Sequence, residues 1–530
     1  MRTQSNTGRR IVLRGGTVVD GVADAPYAAD VLIKGNRIQE IGRIAAQADD
    51  EEVDCAGQLI LPGFIDAHSH ADAMVFDEPT QLSLLRQGIT TVITGQDGVS
   101  FAPGSGEYAA SYFAAINGSH PSYNGGGVGQ LLDTYNRAVP LNVAYLVPAG
   151  TVRWEVMGAH TGSPTPEQLA AMTEMVSLAM DEGAVGLSSG LDYVPGIFAD
   201  AQELAALCKP VAAAGSVYVT HMRGGYEANS REGIEEISTI CAPSGVKAHI
   251  AHFHAEAPII AAMLDELEAD GVDTTFDAYP YAKGCSLLSM PLLPPELSVQ
   301  PVETVLEALG TASQRENIIR NWFPVVAQKP SLGPDWPEMI TLAHIASPEY
   351  AWAHGLTLAQ AASEASTSPA EFALDVMLAS RLEVNAVMAV RYERSIQELG
   401  TIMSSPKHVG GSDGIFIGAH PHPRAAGSYP KFLRCLVREG SSWSWPDAVR
   451  HLSTTAAERF GLGLRGRVQP GYVADLLVVD PDTVQDTATY QDPTSLAAGI
   501  STVLVDGIPV LSKGELTGAR PGQGLRRAAN

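Results

Sequence analysis

Eight short apolar runs, each stopped by glycine or polar residues and followed by a helix-like stretch, predict an α/β chain built on a (β/α)8 barrel of the TIM type. Two further observations point the same way. His and Asp recur at the ends of these runs, and both chain ends read as alternating strands. The runs begin near residue 60: LILPGFIDAH, TTVITG, LNVAYLVPAG, AVGLSSGL, SVYVTH, VKAHIAH, DTTFDAY and HVGGSDG. Apolar runs without alternation suit strands buried on both faces, as in a parallel sheet covered by helices. In such a barrel the polar residues at the strand ends face the catalytic mouth.

The flanks differ in character. Residues 10–60 and 465–515 alternate apolar and polar positions between Gly-rich turns, and neither is long enough for a good sandwich alone. The expectation is that residues 1–60 and 465–530 pair into one small β-sandwich domain, with the barrel over 61–464. A Pro-rich, partly helical stretch over about 285–345 (LLPPEL, ETVLEALG, RENIIRNWF) lies between strands seven and eight, far longer than a crossover needs. It reads as an inserted lid or subdomain.

Composition narrows the function classes. A chain of 530 residues, 45% hydrophobic, can bury a large barrel core and a smaller module. A net charge of −25 repels nucleic acid and anionic membranes, so neither is an expected partner. Cys55, Cys208, Cys241, Cys285 and Cys435 are scattered without CxxC spacing, which indicates neither a disulfide framework nor a thiolate zinc knuckle. The start, MRTQSNTGRRIVLRGG, lacks the apolar stretch of a signal peptide, and no run is long enough to span a bilayer. A cytoplasmic location is therefore expected. The oligomeric state stays open.

The chemistry concentrates at the strand ends. In Asp66-Ala67-His68-Ser69-His70, residues two apart on a strand point the same way, so His68 and His70 can turn toward one ion. His221 (YVTHMRGG) and His252 (AHIAHFHAE) bring imidazoles from the fifth and sixth strands, and Asp97 follows the second. Asp413, in GGSDG after the eighth, can ligate a metal and accept a proton from an attacking water. Each residue alone has a bland reading: a histidine capping a strand, or Asp97 capping a turn. Four imidazoles and a carboxylate at one barrel mouth favour a metal centre instead.

This arrangement resembles the amidohydrolase superfamily, including the split β domain and the closing segment RGRVQPGYVADLLVVD. Longer stretches (GLSSGLDYVPG, RWEVMG, DAYPYAKG and HPRAAGSYPKFLRCLVRE) resemble one branch, the N-acyl-D-amino-acid deacylases or D-aminoacylases. The resemblance implies hydrolysis of a linear N-acyl amide of a small molecule with one or two Zn2+ ions. It implies that Arg424 and Tyr281 hold the substrate carboxylate, with Tyr193 in the same pocket. An Arg fork suits that task, since it can pair both carboxylate oxygens.

Three positions depart from the family pattern. Where members usually carry a ligating Cys after strand two, this chain reads Thr94-Gly95-Gln96-Asp97-Gly98. A carboxylate is a harder ligand than thiolate but binds zinc well. Pro148-Ala149-Gly150 stands where a His-containing turn is common, and His254 where a Lys commonly contacts the substrate carboxylate. AVGLSSGLDY holds no Lys, which counts against hydantoinase-like relatives that bridge two metals with a carboxylated Lys. Two alternatives remain at this level: another amidohydrolase reaction on a cyclic amide or acyl-peptide-like metabolite, and a non-catalytic metal-binding protein.

Overall fold

The computed structural model describes residues 9–224, 226 and 229–528. Its centre is a parallel sheet of eight strands: β1 (Phe64–Asp66), β2 (Ile89–Thr94), β3 (Asn142–Pro148), β4 (Gly186–Gly190), β5 (Val217–His221), β6 (Lys247–Ile250), β7 (Thr274–Ala278) and β8 (His408–Gly410). They pair in sequence order, as the eight apolar runs predict. The ring closes where Ala67 N–H donates to the Gly410 carbonyl (3.1 Å) and Asp413 N–H to that of His68 (2.7 Å). These two bonds place the HxH segment and the loop bearing Asp413 side by side.

Side-chain alternation explains why the strands are apolar throughout. Inward positions such as Ile65, Ile93, Ala144, Leu146, Val219 and Val409 fill the barrel interior, which Phe460 and Leu462 help complete. Their neighbours Phe64, Val92, Tyr145, Val147, Tyr218 and Phe276 face outward and pack with the surrounding helices. The helices are begun by caps. Thr165 and Gln168 exchange side-chain-to-backbone bonds at the start of Pro166–Asp181.

The two chain ends meet as expected. Leu59–Pro62 pairs antiparallel with Leu476–Val479, which joins strands of both ends into one nine-stranded sheet. Alternation again divides the residues: Leu477 and Val479 join the main core with the barrel's outer layer, while Leu476 and Val478 join Ile11, Val31 and Ile60 in a separate core.

Between β7 and β8 lies a three-stranded antiparallel sheet: Gly284–Leu287, Ile340–Ile345 and Val384–Met388. It has its own core, including Val305, Phe323, Trp336, Leu342 and Phe372. The central strand is the last in sequence, so this unit reaches Met388 rather than ending near 345. The helix Ile396–Met403 then packs against Ala257–Ala269 in the barrel's outer layer. Among the described residues, no helix is long and apolar enough to cross a membrane, and all five cysteines are free.

Candidate metal centre

The strand ends bring His68, His70, Asp97, His221, His252 and Asp413 together at the barrel mouth, each at most 7% exposed. His68 and His70 follow β1, Asp97 follows β2, His221 ends β5, His252 follows β6 and Asp413 follows β8. Asp97, His252 and Asp413 all adopt left-handed backbone (φ 55°, 34° and 49°), a region costly for residues other than glycine. Such conformations persist where the surroundings over-determine them. The loop carrying Asp97 is packed tightly on β4: a Cβ at Gly190 would come within 2.0 Å of the Asp97 carbonyl oxygen.

The side chains form two triads that share Asp97. One is His68, His70 and Asp97; the other is Asp97, His221 and His252. His68 Nε2 lies 3.7 Å from Asp97 Oδ1, and His70 Nε2 lies 3.6 Å from Asp97 Oδ2. On the other side, His221 Nδ1 and His252 Nε2 each stand 3.9 Å from Asp97 Oδ1. Asp413 Oδ1 completes the first group at 3.3 Å from His70 Nε2 and 3.7 Å from His68 Nε2. These separations exceed good hydrogen bonds, yet ligands on a tetrahedral zinc stand about 3.3 Å apart. Among the described residues, His68 Nε2 and Asp97 Oδ1 are buried without a hydrogen-bond partner, the state expected of atoms reserved for a cation. The donor set fits one or two zinc ions, with Asp97 placed to bridge.

A further layer fixes the rings of His68, His70 and His221. His68 Nδ1 faces Asp277 Oδ2 (3.3 Å), leaving Nε2 for the ion. His70 Nδ1 meets Asn117 Oδ1 (3.1 Å), and His221 Nε2 meets Asp192 Oδ2 (3.2 Å), which leaves His221 Nδ1 facing inward. Asp277 also accepts from His249 Nε2 (3.1 Å) and from the backbone N–H of His252 (2.9 Å). Sequence reasoning missed Asn117, Asp192, His249 and Asp277. The only available signal was a polar residue inside an otherwise apolar run, as in DTTFDAY and VKAHIAH.

Electrostatics match this use. Burial alone would raise the Asp97 and Asp413 carboxyls, but the neighbouring imidazoles, and Arg424 beside Asp413, outweigh it and hold both below the usual carboxylate range. Burial pushes the His252 imidazole down to about 4, so its ring is neutral and has a lone pair to give. His68, His70 and His221 are shifted the other way: burial lowers each, yet neighbouring carboxylates more than offset it, and at His70 the Asp413 and Asp97 carboxylates raise the imidazole to about 10.

A cavity of about 470 Å³ opens beside Asp413, His221 and His252, and the inserted subdomain covers it with Met290, Pro291, Lys329, Leu332 and Met388. Tyr193 and His254 are in its wall, the Tyr193 hydroxyl bonded to that of Ser286 (2.7 Å). Arg424 stands behind the wall with no exposed surface. Its Nη1 is 2.8 Å from Asp413 Oδ2, and its Nη2 donates to the Cys285 carbonyl (3.3 Å). The Nη1 contact is a charge pair without hydrogen-bond alignment, and Nε also has no acceptor among the described residues. Tyr281 is not among the wall residues. Its hydroxyl donates to the Pro423 carbonyl (3.4 Å), and Tyr279 lines the cavity instead. The cause is local: Tyr281 N–H bonds to the Tyr279 carbonyl (2.9 Å), and this tight turn after β7 sends the two rings in different directions.

Comparisons with known proteins agree with this geometry. A family model described as "Amidohydrolase family" matches residues 51–511. The D-aminoacylase of Alcaligenes xylosoxydans xylosoxydans is 31% identical over 532 residues, covering 98% of each chain. Among solved structures, an N-acyl-D-glutamate deacylase from Bordetella bronchiseptica, complexed with zinc and a phosphonate mimic of the tetrahedral intermediate, matches with a TM-score of 0.80 at 28% identity, covering 98% of this chain and 100% of that one. A D-aminoacylase structure concerned with a binuclear metal centre also gives 0.80 at 28% identity, covering 98% and 99%. The chain belongs to the Amidohydrolase family and, within it, to the branch of the N-acyl-D-amino-acid deacylases.

Proposed function

We propose that the protein hydrolyses the amide bond of N-acyl-D-amino acids or closely related N-acyl compounds, releasing a carboxylic acid and a free amine. The observation that carries this is the position of Asp413: a buried carboxylate beside two histidine triads that share Asp97, at the inner end of a substrate-sized cavity. His68, His70, His221, His252 and Asp97 would hold the metal. When bound, zinc polarises the scissile carbonyl and makes water a nucleophile near neutral pH.

The chain's own groups do the rest. Asp413 takes the proton of the attacking water and returns it to the departing amine nitrogen, as general acid–base catalysis requires. Arg424 orients the Asp413 carboxylate and has donors left for the substrate's carboxylate. Tyr281 contributes from behind by holding Pro423, the residue before Arg424. Tyr193 and His254 line the space for the substrate, and the inserted subdomain excludes bulk water. Five free cysteines suit a reducing, cytoplasmic setting.

The test is hydrolysis of paired N-acyl-D- and N-acyl-L-amino acids by zinc-loaded protein. Strong preference for the D series is expected. Equal rates on both series, or hydrolysis of cyclic amides alone, would overturn the proposal.

A further inference from the structure

His254 lies two residues beyond His252, in the wall of the cavity. Its ring is stacked on that of His252 (centroids 6.2 Å apart, planes 15°) and meets the rings of Tyr279 and Tyr226 edge-on at 4.8 and 6.1 Å. Its Nδ1 faces Nη2 of Arg394 at 3.2 Å. Arg394 is 6% exposed and comes from the segment that leaves the inserted subdomain.

The direction of this bond is not ambiguous. A guanidinium has five N–H donors and no acceptor, and it stays charged at any working pH. Arg394 therefore donates, and Nδ1 of His254 must carry the lone pair. A neutral imidazole with a lone pair on Nδ1 has its proton on Nε2. An imidazolium would set an N–H against an N–H and a cation against a cation. The Nε2 that must then carry hydrogen is buried and has no hydrogen-bond partner among the described residues. A buried donor left unmade is costly, so an acceptor that arrives with a ligand accounts for it.

We propose that Arg394 is a positioning residue that fixes His254 as its Nε2–H form, so that His254 offers an uncharged N–H to a carboxylate oxygen of the substrate. The choice of acceptor rests on the deacylase reading; the tautomer does not.

The experiment uses full-length zinc-loaded protein with 15N-labelled histidine. Long-range proton–nitrogen spectra report which ring nitrogen is protonated, and the His254 signals are those missing in His254→Gln. The expected result is a neutral ring protonated at Nε2, kept in Arg394→Lys, which still donates, and lost in Arg394→Met. Kinetics on N-acetyl-D-methionine provide the second readout. His254→Leu should raise KM about tenfold or more, the loss expected for one hydrogen bond to a charged group, with kcat little changed. His254→Gln, whose amide nitrogen falls near the position of Nε2, should restore KM, and N-acetyl-D-methioninamide should not distinguish the variants. An Nδ1–H or doubly protonated His254 in the wild type overturns the proposal, as does an unchanged KM in His254→Leu. Should Arg394→Met fail to fold, the wild-type spectrum and the two His254 variants decide alone. A wild type that cleaves no N-acyl-D-amino acid refutes the deacylase reading, and the spectrum still tests the tautomer.

Discussion

Replacing Asp277 by Asn should weaken zinc binding without touching a proposed ligand. The Asp277 carboxylate is fully buried and serves three donors: Oδ2 accepts from His68 Nδ1 at 3.3 Å and His249 Nε2 at 3.1 Å, and Oδ1 from the His252 N–H at 2.9 Å. An amide has one acceptor oxygen. If that oxygen takes the place of Oδ2, the new NH2 opposes the His252 N–H; if the amide flips, it opposes two imidazoles. The milder outcome loses one buried bond and the charge that holds the His68 ring, a cost of about 1.4–2.7 kcal/mol, or roughly 10- to 100-fold in metal affinity. Competition against a chromophoric zinc chelator measures this directly. Affinity within about threefold of wild type would refute the reasoning that this outer layer, rather than strand geometry alone, orients His68.

Three further outcomes follow from the same geometry. Asp413→Asn should lower kcat by roughly 10²–10⁴-fold, the range of general acid–base catalysis, with zinc content held near wild type by mass spectrometry. Full activity in that variant excludes Asp413 as the base. Asp97→Ala should lose zinc from both triads at once, whereas Asp97→Cys, which offers a thiolate at the shared position, should retain it; full zinc in Asp97→Ala contradicts the bridging role. His70 is a pH-sensitive ligand. It is raised to about 10 in the metal-free protein, so at pH 8 it carries a proton that zinc must displace. Zinc uptake at pH 8 should therefore acidify a weakly buffered indicator solution, and affinity should strengthen as pH rises toward 10; uptake without proton release would show His70 already neutral.

Much of this site was legible in the sequence because a barrel converts sequence position into spatial position. A residue just after a buried strand can only be at the mouth, so His68, His70, Asp97, His221, His252 and Asp413 needed no contact information to be grouped. Strand order and the joining of the chain ends followed from the same periodicity. What stayed hidden depends on directions rather than positions. Asp277 and His249 lie within strands, where a polar residue reads as an interruption of the core until its partner is known. Asn117 ends a short helix (Ala114–Asn117) and Asp192 sits on a loop, and nothing in their neighbours marks them as facing a histidine. Tyr279 and Tyr281 are equivalent in sequence, and the turn between them decides which lines the cavity. The reach of the inserted unit to Met388 was concealed because its central strand follows two helices of its own core, after which the chain returns to the barrel.

The whole account turns on Asp97 standing between two sets of imidazoles. A crystal of the zinc-loaded protein, with anomalous differences collected at the zinc edge, tests this most directly. Two peaks are predicted, one among His68, His70 and Asp97 and the other among Asp97, His221 and His252, with the Asp97 carboxylate between them. One fully occupied peak within either triad, with its partner weak, still agrees with the shared ligand set. Zinc bound away from Asp97, or no peak at the barrel mouth, contradicts it.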